Sequence, residues 1–152
     1  MTFYGIDNQT VELKVTNYQY PDNNEGDWDS NWLYLYLKVD SKCGNWQTID
    51  PSLTTWELQE LTGWFNSLSE NQEPEYKEIQ FTEPNLSFEL IGKYDYIEKT
   101  IRIRFELESR PKSATDDKNY FVDIKADNKE LRRISEELQK ETEKYPKKKP
   151  TA

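Results

Sequence analysis

Residues 32–39 read WLYLYLKV, a stretch that decides the fold because, as a strand, it has no polar face until Lys38. Successive side chains of a strand point to opposite faces of the sheet. One face therefore carries aliphatic side chains, Leu33, Leu35, Leu37 and Val39. The other carries aromatic side chains, Trp32, Tyr34 and Tyr36. This pattern predicts a central strand that is covered on both sides.

Alternation of apolar and polar residues predicts further strands on either side of this one along the chain. They span residues 11–15, 46–49, 76–81, 86–90, 101–108 and 120–126. The run from Ile101 to Glu108 alternates without a break, which is typical of a strand with one face on the core. A turn at residues 42–45 makes the following short strand a hairpin partner of the central strand.

Two helices are predicted, each from a capping box followed by an apolar stripe at helical spacing. The first covers residues 50–70, where Thr54 and Glu57 form the box. The second begins at Asp127, with Glu130 as the partner in its box. The apolar stripes predict that both helices are amphipathic and pack on a sheet.

The predicted elements follow the order βββαββββα, in which strands mostly neighbour strands along the chain. This order favours an α+β fold, a mainly antiparallel sheet of about six to seven strands with two amphipathic helices packed on it, over a wound parallel sheet. A length of 152 residues fits one domain, which we expect to span residues 1–146. Residues 147–152, KKKPTA, are predicted to form a disordered basic tail.

Charge is the most uneven feature of the composition. The chain carries 20 basic and 29 acidic residues, a net charge of −9. Four of the lysines lie at or after residue 144, which leaves 16 basic and 29 acidic residues in 1–143, a net charge of −13. An acidic body repels nucleic acid and anionic lipid, and it speeds encounter with a basic partner. We therefore expect a basic protein as partner, and neither nucleic acid nor a membrane.

Several features predict a cytoplasmic protein. The N-terminal sequence MTFYGIDNQTVELK lacks the basic run and apolar segment of a secretion signal. No stretch approaches the roughly 18 apolar residues of a membrane span. The single cysteine, Cys43, has no partner for an internal disulfide, which fits a reducing cytosol.

Catalytic motifs are missing from the sequence. Histidine is absent, which excludes Ser-His-Asp and Cys-His catalysis and zinc sites built on imidazole. The chain also lacks the GxGxxG and GxxxxGK[ST] phosphate-binding motifs. A carboxylate pair at glycosidase spacing is expected by chance among 29 acids, so it is not specific. We therefore expect no enzymatic activity and no cofactor.

Residues 22–32, DNNEGDWDSNW, are the candidate functional segment because acids and tryptophans are concentrated there. The segment fits a calcium loop, a carbohydrate-binding edge or a face for a basic partner. An EF-hand requires an oxygen ligand at position 5, Gly at 6 and Glu at 12. Counted from Asp22, these positions hold Gly26, Asp27 and Leu33, which excludes that motif. A calcium site of another kind, made from Asp22, Asp27 and Asp29, stays open.

For a basic partner, the expected contacts are aromatic anchors surrounded by acids. The candidate partner-binding residues are Asp22, Glu25, Asp27, Trp28, Asp29 and Trp32. Trp28 is the better anchor, because Trp32 leads the central strand and is expected to help close the core. A second acidic patch, expected to be a solvated loop beside the first helix, consists of Glu70, Glu73, Glu75 and Glu78.

Several motifs together resemble a known family. They are NYQYP (17–21), WDSNWLYLYLKV (28–39), FTEPNLSFEL (81–90) and IRIRFELESRP (101–111). Over about residues 9–145 the sequence resembles the WapI-type immunity proteins of bacteria. The resemblance implies a small cytosolic protein, encoded beside a contact-delivered toxin, that binds the C-terminal toxin domain and protects the producing cell. The WapA toxins that name the family are associated with tRNA cleavage. The shared motifs imply no catalytic residue.

Two hypotheses follow from these observations. In the first, an immunity protein occludes a basic toxin domain through its acidic segment and aromatic anchor; an RNase or tRNase is one kind of toxin that the resemblance implies, and other kinds stay open. In the second, a non-catalytic module binds carbohydrate or calcium with the same segment.

Overall fold

The protein folds into two four-stranded antiparallel sheets and two helices in the computed structural model, which describes residues 1–150. The first sheet contains, in spatial order, β1 (Thr2–Tyr4), β2 (Thr10–Tyr18), β3 (Trp32–Ser41) and β4 (Gly44–Thr54). The second sheet contains, in spatial order, β5 (Glu78–Gln80), β6 (Leu86–Leu90), β7 (Glu98–Phe105) and β8 (Tyr120–Asp127). Helix α1 (Thr55–Ser69) follows the first sheet, and helix α2 (Asn128–Lys144) follows the second.

This architecture confirms the α+β class and the antiparallel pairing predicted from the sequence. Residues 1–150 contain eight strands rather than six or seven, and these form two sheets rather than one. The additional strand, β1, has three residues, too few for an alternating pattern to be recognised. In both sheets, strands that are consecutive in sequence are neighbours in space, so the connections between them are local.

Strand β3 is central in the first sheet, as predicted, because it pairs with β2 on one edge and with β4 on the other. Its aliphatic face is buried in the core. Its aromatic face is less covered, since Trp32, Tyr34 and Tyr36 are half-buried. The prediction that both faces are covered is therefore met in full on the aliphatic face and in part on the aromatic face, where rings with a polar atom tolerate partial exposure.

One hydrophobic core joins both sheets and both helices. Near its centre Phe3 of β1, Phe65 of α1 and Phe88 of β6 contact one another, with ring centroids 5.7–5.8 Å apart. Such aromatic pairs contribute about 0.5–1.5 kcal/mol each beyond the burial of their area. The apolar stripes predicted for the helices are buried: Leu58, Leu61, Phe65 and Leu68 in α1, and Leu131, Ile134 and Leu138 in α2.

Both helices begin at the capping residues predicted from the sequence. Thr54 Oγ1 accepts from Glu57 N at 3.3 Å, and Glu57 Oε1 accepts from Thr54 N at 3.0 Å, so the first capping box is confirmed. Strand β4 runs straight into this cap, so residues 50–54 of the predicted helical range 50–70 belong to the strand. Asp127 Oδ1 accepts from Glu130 N at 2.8 Å, but the Glu130 carboxylate pairs with Arg133, so the second box is only half formed. Neither helix within residues 1–150 is long and apolar enough to cross a membrane.

Strand β7 lies about three residues earlier than the predicted strand 101–108, since it begins at Glu98 and ends at Phe105. Leu107 has a left-handed φ of 48° and begins a short 3-10 turn, Leu107–Ser109. An extended ladder cannot continue through that backbone conformation. Local backbone geometry thus ends a strand that the alternation of side chains would extend.

Candidate functional site

The segment between β2 and β3, residues 19–31, forms a surface loop that we call the acidic loop. Five of the six candidate residues are exposed on it: Asp22, Glu25, Asp27, Trp28 and Asp29. The sixth, Trp32, is half-buried at the start of β3. The acidic loop therefore presents four carboxylates and one indole to solvent.

Asp27 holds the acidic loop together. Its Oδ1 accepts from the Ser30 backbone N–H at 2.9 Å, and its carbonyl oxygen accepts from Ser30 Oγ and from Asn31 Nδ2, each at 2.9 Å. The hydrogen bond from the Ser30 N–H is the main reason that the pKa of Asp27 is lowered. This carboxylate is therefore engaged within the loop and is less available to a partner.

The other three carboxylates of the acidic loop are available to a partner. Within residues 1–150, the side-chain oxygens of Asp22, Glu25 and Asp29 take part in no hydrogen bond and no salt bridge. No salt bridge engages them, so they are open to a basic partner.

Trp28 forms the apolar centre of the site together with Trp56, a residue that the sequence does not single out. The Trp28 side chain is 53% exposed and meets Trp56 edge to face, with ring centroids 4.7 Å apart and an interplanar angle of 73°. Trp56 is half-buried in the first turn of α1. It lies outside the apolar stripe of that helix, and an aromatic residue off the buried face is the signal that points to it.

Asn31 connects the acidic loop to two other parts of the chain. It is fully buried, and its Oδ1 accepts from Thr55 Oγ1 of α1 at 2.9 Å and from the Lys148 backbone N–H at 2.8 Å. Its Nδ2 donates to the carbonyl oxygens of Asp27, at 2.9 Å, and of Lys148, at 3.1 Å. The sequence reasoning missed this residue, because an asparagine in a polar loop gives no signal that distinguishes it from its neighbours.

The segment after α2 lies against the acidic loop. The sequence predicts a disordered basic tail at residues 147–152. In the structure, Lys148 Nζ donates to the carbonyl oxygens of Asn23, at 2.7 Å, and of Tyr20 and Pro21, each at 3.3 Å. Lys147 Nζ lies 5.5 Å from the ring centroid of Trp56. Lys148 thus has defined contacts with the loop and Lys147 with Trp56, whereas Thr151 and Ala152 lie outside the described residues.

The second acidic patch lies at the surface around a different aromatic residue. Glu70, Glu73 and Glu75 are exposed, and Tyr76 among them is 71% exposed. Glu78 is half-buried and accepts from Gln80 Nε2 at 2.6 Å. This patch has an acidic and aromatic character similar to that of the acidic loop, which makes it the appropriate control in experiments on charge.

A family model described as the immunity protein WapI-like family matches residues 2–146. The chain belongs to this WapI-like immunity family. The match spans both sheets, both helices and the acidic loop. The chain has no significant match among curated proteins or among solved structures.

Membership of the WapI-like family confirms the resemblance drawn from the sequence motifs and indicates an immunity function. Immunity proteins generally act by binding a toxin rather than by catalysis, so the exposed surfaces of this family member are the relevant features. Among residues 1–150, no three His, Cys, Asp or Glu side chains come together closely enough to hold a metal ion. Asp22, Asp27 and Asp29 therefore do not form the calcium cluster considered from the sequence.

Proposed function

We propose that this WapI-like protein protects its cell by binding the toxin domain encoded beside it and covering the functional surface of that domain with the acidic loop. One arrangement carries the proposal: three carboxylates that are unpaired within residues 1–150 lie in the same loop as the exposed Trp28, which packs on Trp56. Charged groups around an aromatic centre are what a tight protein interface requires. Family membership supports a toxin as the partner.

The charge of the protein supports a basic partner. The protein carries a net charge of −9, and the unpaired carboxylates of the acidic loop contribute to the negative field at that surface. A toxin that cleaves RNA needs positive charge to hold phosphates. Carboxylates can occupy such a cleft in place of phosphates, so an RNase or tRNase domain is the class of toxin that this surface fits best.

The two components of the site have different roles in this mechanism. Asp22, Glu25 and Asp29 accelerate encounter through long-range attraction. Trp28 and Trp56 are covered in the complex and slow dissociation, since buried aromatic side chains contribute most to interface energies. Inhibition by occlusion needs no catalytic group. In this proposal the complex forms in the cytoplasm, where an RNase toxin meets its substrate.

The decisive test reverses the free charges of the acidic loop. We expect Asp22→Lys combined with Glu25→Lys and Asp29→Lys to slow association with the purified toxin domain by roughly tenfold or more at low salt. Asp27 is left unchanged because it holds the loop together. Association is measured by stopped-flow fluorescence as a function of ionic strength, and protection by coexpression of toxin and variant.

A matched control makes the same change of net charge elsewhere. Glu70→Lys combined with Glu73→Lys and Glu75→Lys alters the second acidic patch and leaves the acidic loop intact. We expect this control to retain most of the association rate and full protection. Equal slowing by both triple variants would mean that the net charge alone, and not the acidic loop, guides the toxin.

Replacement of the aromatic anchor tests the other half of the mechanism. We expect Trp28→Ala to weaken the complex by about 2 kcal/mol or more, mainly through faster dissociation. Tyr76→Ala, in the second acidic patch, is the matched control. An unchanged dissociation rate in Trp28→Ala would remove Trp28 from the interface.

A further inference from the structure

The side chain of Lys148 is bound by the acidic loop. Its ammonium group faces three backbone carbonyl oxygens, those of Asn23 at 2.7 Å and of Tyr20 and Pro21 at 3.3 Å each. The same Nζ lies 4.1 Å from the ring centroid of Tyr18. We call this set of three carbonyls and one ring the lysine socket.

The chemistry of the lysine socket selects a primary ammonium. A lysine ammonium has three donors around a single nitrogen, and the socket offers three acceptors and an aromatic face to that one point. An arginine guanidinium spreads its donors over a planar fork, which suits paired carboxylate oxygens better than converging carbonyls. The socket therefore recognises lysine in preference to arginine.

The rest of the segment is also recognised, through its backbone. The N–H and the carbonyl of Lys148 pair with the buried Asn31 amide, at 2.8 and 3.1 Å. Gly26 lies so close to the segment that an added Cβ would come within 2.2 Å of the Lys149 carbonyl carbon and the Pro150 nitrogen. Tyr18 Oη donates to the Pro146 carbonyl at 2.6 Å. The loop thus binds residues 146–150 as a short peptide.

The bound peptide carries the charge that we propose for the toxin surface. It contains Lys147, Lys148 and Lys149, and the Lys148 side chain lies on the loop that also presents Asp22, Glu25 and Asp29. Lys147 and Lys149 are exposed and Lys148 is half-buried, so the peptide is held at the surface. A surface segment without helix or strand structure can open locally and exchange with a competing ligand that offers the same groups.

We propose that the acidic loop is a binding site for a short lysine-rich segment, which residues 147–150 occupy in the free protein and a lysine-bearing segment of the toxin occupies in the complex. The toxin as competitor rests on the proposed function, whereas the specificity of the socket for lysine does not. Only molecules whose internal segment is displaced can bind the toxin through the socket. The apparent affinity for the toxin is therefore the intrinsic affinity multiplied by the fraction of such molecules. It also shields the anionic loop from unrelated basic ligands.

The test uses a fluorescent peptide of sequence KYPKKKP, which corresponds to residues 144–150, and no toxin. The full-length variant Lys147→Ser, Lys148→Ser, Lys149→Ser leaves the socket empty. We expect this variant to bind the peptide roughly tenfold or more tightly than the wild type does, by fluorescence anisotropy. A peptide with arginine at the three lysine positions is expected to bind several-fold more weakly than the lysine peptide.

Equal binding of the lysine peptide to the variant and to the wild type would overturn the proposal, as would equal binding of the arginine and lysine peptides. Circular dichroism establishes that the variant is folded. If the triple variant does not fold, Lys148→Gln is used instead, and it must also gain affinity for the lysine peptide. Because the toxin is absent, failure of this experiment leaves the proposed function to its own test with the charge-reversed loop.

Discussion

Replacement of Asn31 by alanine should weaken the fold by about 3 kcal/mol, because the side chain is buried and its hydrogen bonds hold three parts of the chain. The amide accepts from Thr55 at 2.9 Å and from Lys148 at 2.8 Å, and it donates to Asp27 at 2.9 Å and to Lys148 at 3.1 Å. A buried polar group that loses its hydrogen-bond partner lowers the free energy of unfolding by about 1–3 kcal/mol. The Lys148 backbone regains some hydration because it lies near the surface, so the total is below the sum of four such losses.

Urea unfolding, followed by tryptophan fluorescence and by circular dichroism, measures the effect of Asn31→Ala. A loss of about 3 kcal/mol lowers the unfolding midpoint by about 1.5 M if the slope is about 2 kcal/mol per molar urea. Asn31→Asp keeps the acceptor for Thr55 and Lys148 but loses both donors, to the carbonyl oxygens of Asp27 and Lys148. It also buries a carboxylate against those oxygens, so we expect a loss at least as large as in Asn31→Ala. Asn24→Ala is the control, because the Asn24 amide is exposed and its nearest acceptor, the Asp22 carbonyl, is 3.5 Å away.

Two results would refute the role assigned to Asn31. The first is a loss below about 0.5 kcal/mol in Asn31→Ala, the range of an ordinary surface substitution. The second is wild-type stability in Asn31→Asp, which would mean that the donor contacts with the carbonyl oxygens of Asp27 and Lys148 contribute nothing.

Three further predictions concern single sites. Gly63→Ala should stabilise the protein by about 1 kcal/mol in thermal unfolding, because Gly63 is exposed inside α1 and an added Cβ would meet no atom within 4 Å. Asp50→Asn should stabilise the protein at pH 7. Burial raises the pKa of Asp50, although the hydrogen bond from Asn85 opposes this, so the folded state disfavours the ionised carboxylate. That gain should vanish as the pH falls through the raised pKa of Asp50, since the wild-type carboxyl is then neutral as well. The Ser30 N–H lowers the pKa of Asp27. The ionised Asp27 carboxylate should therefore order the loop above the ordinary aspartate pKa, and this order should be lost as the pH falls through the lowered pKa. The fluorescence of Trp28 can follow the loss.

Local sequence signals were sufficient for most of the fold. The capping residues Thr54 and Asp127 place both helices, and alternation places seven of the eight strands found in residues 1–150. Division into two sheets could not be predicted, because alternation records which side chains point inward but not which sheet a strand joins. The end of β7 could not be predicted either. The left-handed φ of Leu107 ends the regular backbone there, and a leucine side chain does not indicate such a φ.

The candidate site was predictable only where its residues are close in sequence. Asp22, Glu25, Asp29 and Trp28 stand out by composition, and the structure places all four at the surface. Trp56 reaches Trp28 from α1, and Lys148 reaches Asn31 across 117 positions of the chain. Contacts of that kind depend on the tertiary fold, so the sequence does not indicate them. A lysine-rich segment by itself predicts only a solubilising tail.

In the acidic loop, the acids that face solvent and the groups that order the loop are different residues. This separation affects how the protein can adapt its binding when the sequence of its toxin partner changes. The side chains of Asp22, Glu25 and Asp29 are exposed and make no hydrogen bond or salt bridge within residues 1–150, so substitutions there should alter binding with little effect on unfolding. Asp27 and Asn31 supply the hydrogen bonds that shape the loop, so substitutions there should lower stability and binding together. A scan of all five positions, with unfolding and toxin affinity measured for each variant, should therefore give two separate groups. If the two losses rose in proportion at every position, the binding residues would not be separable from the framework, and a change of toxin partner would require the loop itself to be rebuilt.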